Sequence, residues 1–106
     1  MLRIADTIVA LIRDMRPAAE AIARHDADLA RQLRRALSSV ALNVGEGSGS
    51  RGGRRPSHYS IALGSAQEAL MAVRTAEAWG YIEPLPAATS DAFDKVIATL
   101  VKVSRG

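Results

Sequence analysis

Leu29-Ala30-Arg31-Gln32-Leu33-Arg34-Arg35-Ala36-Leu37-Ser38-Ser39-Val40-Ala41-Leu42-Asn43-Val44, followed by Gly45-Glu46-Gly47-Ser48-Gly49-Ser50-Arg51-Gly52-Gly53, is the stretch that decides the fold. Leu29, Leu33, Ala36, Leu37, Val40 and Val44 recur at three- and four-residue intervals, the spacing of one face of an α-helix. The pattern predicts a helix over about residues 27–46. Asp26 or Asp28 stands at its start, where a carboxylate complements the helix dipole. The glycine cluster after Val44 is expected to end the helix and let the chain reverse.

Working outward, the same periodicity appears on both sides. Upstream, Ile4, Ile8, Leu11, Ile12, Met15 and Ile22 predict a helix over about 3–24, with Pro17 expected to kink or break it. Downstream, a third helix opens within 53–57, where Pro56 suits a first turn, and ends at Gly80. Glu83-Pro84-Leu85-Pro86 reads as a loop. A fourth helix starts near Thr89 or Ser90, each a suitable N-cap, and turns Phe93, Val96, Ile97, Leu100 and Val103 inward. No strand pattern and no internal repeat is present. Four helices on short connections predict an all-α, antiparallel up-down-up-down four-helix bundle, one domain over 1–106.

The composition narrows the function. At 106 residues the chain can bury a core without staples, and its lack of cysteine excludes thiol nucleophiles, thiolate metal sites and disulfides. No run is long and apolar enough to cross a membrane, and Met1–Asp6 does not open a signal peptide, so a cytoplasmic location is expected. The net charge of +3 is local. Residues 1–50 hold seven arginines against six acids, and residues 56–106 hold four bases against five acids, so the excess equals Arg51, Arg54 and Arg55. Arginine suits bidentate contact with phosphate or carboxylate.

Two helices carry a second ordered face. On helix two, Gln32, Arg35, Ser39, Asn43 and Glu46 form a polar column beside the apolar stripe. On helix three, Tyr59, Leu63, Ala66, Leu70 and Val73 make one stripe, while Ile61, Gly64, Ser65, Glu68, Ala72, Thr75 and Trp79 lie nearly opposite. A solvated face would carry long charged side chains. Small and apolar residues there instead predict a face against which another helix packs, and hence self-association through helices two and three. Glu46 or Glu68 is expected to pair with Arg35, within or between chains.

These columns carry a family resemblance. Gln32-Leu-Arg34-Arg35-Ala36, Ser39-Val-Ala-Leu-Asn43-Val-Gly-Glu46-Gly47, Gly64-Ser65-Ala-Gln-Glu68 and Gly80-Tyr81-Ile82 resemble, in order and near-family spacing, the 23S ribosomal RNA intervening-sequence proteins. The match covers about residues 29–82. Gly45 stands where that family prefers Ala, and the segment from Asn43 to Gly64 is one residue shorter. The resemblance implies an antiparallel four-helix protomer assembled as a homopentamer. It also implies kinship with the accessory protein of diversity-generating retroelements, which binds nucleic acid and a reverse transcriptase. It implies no catalytic residues.

The candidate chemistry follows. Arg51, Arg54 and Arg55, with Arg34 next, are the expected phosphate contacts, and repetition around a ring would multiply their field. The same segment also fits a solvated turn whose arginines pair with neighbouring acids. Gln32, Arg35, Ser39, Asn43, Glu46, Gly47, Gly64, Ser65 and Glu68 are assigned structural and assembly roles. Gly47-Ser-Gly49-Ser-Arg-Gly52 spells a dinucleotide-binding string but follows a helix, without the strand that motif needs. His25 and His58 lack metal-ligand spacing, so no metal or cofactor is expected. Both should lie at solvent, with His58 near enough to the basic segment to meet phosphate when protonated. Ser39 and Ser65 lie in helix interiors with no base beside them, so an enzyme is not expected. The expected function is a homo-oligomeric nucleic-acid-binding or accessory module, with RNA or DNA and a further protein as partners. The alternative is a protein-interaction scaffold that touches no nucleic acid.

Overall fold

The structure is a computed structural model describing residues 3–49 and 54–105, with side chains for 4–49 and 56–105. It consists of four helices, α1 (Arg3–His25), α2 (Ala27–Gly49), α3 (Arg54–Trp79) and α4 (Ala87–Ser104). No strand occurs among the described residues. α1 packs on α2, α2 on α3, α3 on α4, and α4 on α1, which closes the four helices around one core.

The core follows the apolar stripes. Ile8, Leu11, Met15 and Ile22 enter from α1, Leu33, Leu37, Val40 and Val44 from α2, and Phe93, Val96 and Leu100 from α4. α3 differs: apart from Val73, its buried residues are Ala62, Ala66, Ala69, Ala72 and Ala76. Short side chains let helix axes approach, and α2 with α3 forms the most extensive contact in the molecule. Leu63, Leu70 and Tyr59, expected inside, are half-buried at the edge of this seam.

Asp26 alone joins α1 to α2. Its N–H donates to the Ile22 carbonyl at 2.7 Å, closing α1, and its carbonyl accepts from the Ala30 N–H at 3.1 Å. Its side-chain Oδ1 accepts from the Leu29 N–H at 3.0 Å, which caps α2. α3 ends at Gly80, the only described residue with positive φ, at 78°. There the Gly80 N–H reaches the Glu77 carbonyl at 3.0 Å and the Tyr81 N–H reaches the Ala76 carbonyl at 2.9 Å. This pair of bonds is a Schellman stop, which needs the left-handed conformation that glycine adopts without strain.

Three expectations are corrected. Pro17 does not break α1, which runs through it to His25. A mid-helix proline costs roughly 3 kcal/mol, but Pro17 and Arg13 are both exposed, so the Arg13 carbonyl that loses its helical donor stands on the solvent side of α1. Ile8, Leu11 and Met15 before the proline and Ala19 and Ile22 after it are buried in one core, which holds the two halves in line. The glycine cluster does not stop α2 at 46, since the helix continues through Gly45, Gly47 and Gly49. Val44 and Gly47 are still buried there, and packing on α3 outweighs glycine's weak helix preference. α4 begins at Ala87, ahead of Thr89 and Ser90, with Pro86 at the cap position and no side-chain cap. Proline presets the backbone angle for a helix start, and Thr89 is left inside the first turns as a buried residue.

The glycines of α2 make opposite demands. A Cβ on Gly45 would meet nothing within 4 Å, whereas one on Gly47 would lie 2.8 Å from Tyr59 Cε1. Gly45→Ala should therefore gain the helix-propensity difference of up to about 1 kcal/mol. Gly47→Ala gains the same preference but meets the Tyr59 ring, and overpacking of about 1–3 kcal/mol makes it a net loss. Urea denaturation of both variants, repeated on a Tyr59→Ala background that relieves only Gly47→Ala, checks the assignment.

Candidate functional site

The polar column of α2 meets α3 along the seam that the alanines bring close. Ser39 and Ser65 face each other across it, Oγ to Oγ at 2.8 Å. One turn along, Asn43 Nδ2 donates to the Ser39 carbonyl at 3.0 Å and lies 3.2 Å from Ser39 Oγ. The Asn43 Oδ1 lies 3.3 Å from His58 Nδ1, on the first turns of α3. Glu46 Oε1 lies 3.9 Å from the same ring nitrogen, so a protonated His58 would form an ion pair with it. These contacts make a ladder of polar side chains joining α2 to α3, below which Gly47 admits the Tyr59 ring.

His58 was not legible as part of this ladder. It is half-buried, with a side-chain exposure of 26%, and it belongs to the motif residues instead of standing free at solvent. Its distance in sequence from Asn43 hides the contact, because the register of α3 on α2 is set by packing. His25 is exposed as expected, yet its ring stacks on Tyr81 with centroids 5.0 Å apart and planes 4° from parallel. Trp79 stacks on Tyr81 in turn at 6.4 Å.

Above the ladder lies an open groove of about 320 Å³, lined by Gln32, Arg35, Ala36, Ser39, Ser65 and Glu68. All six belong to the sequence motif. Gln32 is held by its Nε2 donating to Asp28 Oδ2 at 2.9 Å, and Asp28 also pairs with Arg31. Arg35 and Glu68 are exposed on the groove's two walls, and the expected pairing of Arg35 with Glu46 or Glu68 within one chain is not made. Around the outer face of α2, Arg34 and Arg35 line a shallower concavity with Leu42, which is 67% exposed. On α3, Ile61 and Trp79 are 50% and 69% exposed, while Ala72 of the same expected stripe is buried.

Of the expected phosphate contacts, Arg34 is exposed on α2. Arg54 and Arg55 open α3, but their side chains lie outside the described residues, as does Arg51 altogether. Helix geometry puts Arg35 about 20 Å along the axis from the end of α2. Among the described residues, no group of three or more acids or histidines is placed to hold a metal ion. No described helix is long and apolar enough to cross a membrane.

Six motif residues thus line one groove, with Ser39, Asn43, Ser65 and Gly47 along the α2–α3 seam, and a family model matches residues 3–105. The chain belongs to the 23S rRNA-intervening sequence protein family. No protein of curated function and no solved structure matches it. The family match extends the resemblance read on residues 29–82 to nearly the whole chain, α1 and α4 included.

The Ser39–Ser65 bond bridges two helices that share the most extensive contact in the fold. Ser39→Ala and Ser65→Ala should each destabilise the protein by about 0.5–1.5 kcal/mol. The double variant should lose less than the two together, because each single change leaves one hydroxyl without its partner. Chemical denaturation of the four-member cycle measures this coupling, and strict additivity would show that the hydroxyls do not interact.

Proposed function

We propose that this member of the intervening-sequence family is a non-catalytic, cytoplasmic accessory module. It assembles as a homo-oligomer through α2 and α3 and binds nucleic acid, RNA above all, through Arg34, Arg51, Arg54 and Arg55. Each protomer is an antiparallel up-down-up-down bundle. The one-residue α1–α2 connection supports that topology, since two packed helices joined by Asp26 alone must reverse direction. The family resemblance implies five copies.

The observation that carries self-association is Gly64. It sits inside α3, exposed, and a Cβ there would meet nothing within 4 Å. Mid-helix glycine costs roughly 0.5–1 kcal/mol against alanine, and nothing within the protomer requires it. A second helix approaching the Ile61–Gly64–Trp79 face would. Such a face would also bury exposed apolar area and bring Arg35 and Glu68 of different copies together where water is excluded. RNA binding is supported by the concentration of the basic excess in residues 51–55 and by the rRNA association in the family's description.

Trp79, exposed on this face, also favours the competing reading, a scaffold for another protein with no affinity for nucleic acid. The two readings part in one experiment. Replacing Arg51, Arg54 and Arg55 with Gln should weaken RNA binding and lower the slope of log affinity against log salt, with the oligomer intact by light scattering. A scaffold shows no RNA affinity at physiological salt even in the unaltered protein.

Assembly has its own test. Gly64→Leu should dissociate the oligomer into protomers that keep their helical circular dichroism. An unchanged mass by light scattering would place Gly64 outside the interface.

A further inference from the structure

A different groove, of about 300 Å³, runs between α1 and α2 on the other flank of α2 from the motif. Its accessible apolar lining is the half-buried Ile12, above Met15, Ala19 and Leu37, which are themselves buried. Its rim carries Arg16 and Glu20 from α1 and Arg34 from α2. Arg16 and Arg34 are exposed, and neither makes an ion pair or side-chain hydrogen bond among the described residues. Glu20 stands four residues after Arg16, a spacing that permits a helix pair, yet that pair is not made. Two guanidinium groups on separate helices therefore flank one apolar trough with no acid holding either.

An anion in the groove would meet both arginines, and the apolar lining favours an anion that carries a flat apolar group. A duplex keeps its bases stacked and paired, so it has no free base face to place in the groove. A single strand presents a phosphate and, next to it, the flat apolar face of an unstacked base.

We infer that the α1–α2 groove takes one nucleotide of single-stranded RNA, its base against Ile12 and its phosphate met by Arg16 and Arg34. This rests on the nucleic-acid reading of Arg34 and adds Arg16 and the groove to it. It also gives Arg34 a role separate from the 51–55 segment.

The test is fluorescence anisotropy with a labelled twelve-nucleotide single-stranded RNA and the variants Arg16→Gln, Arg34→Gln, the double variant and Arg74→Gln. Arg74 is exposed on α3, away from the groove, and its loss changes the net charge equally. Arg16→Gln and Arg34→Gln should each weaken binding about three- to tenfold and lower the salt slope by about 0.7, the value for one phosphate of a single strand. The double variant should lose less than the product of the singles, because both arginines hold one phosphate. Arg74→Gln should change affinity less than twofold. The same RNA carrying 4-thiouridine should crosslink to residues 12–20 or 34–38. Arg16→Gln behaving as Arg74→Gln, or crosslinks confined to other segments, overturns the inference while leaving RNA binding by residues 51–55 standing. An unaltered protein that binds no RNA overturns both.

Discussion

The close approach of α2 and α3 is the constraint on which the rest of the molecule depends. α3 brings five alanines to the core, and α2 answers with Ala30 and Ala36 and with Gly47 at its far end. Alanine gives up apolar area, and the fold recovers it from α1 and α4, which supply Ile8, Leu11, Met15, Phe93 and Leu100. Helices this close leave room at the seam's edge only for short polar side chains. That explains why serine stands at 39 and 65 and why the two hydroxyls meet at 2.8 Å. Asn43 and His58 extend the contact one turn further along α2, and Gly47 admits the Tyr59 ring beyond them.

The number of helices and most of the core were legible, because a buried stripe writes its period directly into the sequence. What the sequence hid was governed by contacts between segments. Pro17 and the glycines of α2 look like breaks when read locally, but both lie where buried neighbours hold the helix in register. Thr89 looks like a cap until Phe93 and its own burial draw α4 back to Pro86. The motif residues were legible as a column on α2 and a stripe on α3. Their convergence on one groove was not, since it depends on the offset between the helices. His58 was missed for the same reason, fifteen positions from the asparagine it meets. Arg16 offered no signal at all, because nothing in the local pattern says that a surface arginine of α1 shares a trough with Arg34.

Gly47 and Gly64 differ in what the protomer asks of them. Gly47 is explained inside one chain, by the Tyr59 ring 2.8 Å from where a Cβ would stand. Gly64 has open space around it and carries the same helix-propensity penalty without that return. Gly45 has the same open surroundings, and what sets Gly64 apart is its place on the apolar face of the proposed assembly. The charges follow the same logic. Arg35 and Glu68 face one groove without pairing, and in water such a pair is worth less than about 1 kcal/mol, too little to order two long side chains. Exclusion of water by a second helix raises the value of the pairing and penalises any register that leaves one charge alone. An unpaired Arg35–Glu68 couple in the protomer therefore costs little, and in an assembled α2–α3 face it selects one alignment of the subunits. Arg34 stands between two concavities of α2, one shared with Arg35 and Leu42 and one shared with Arg16 of α1.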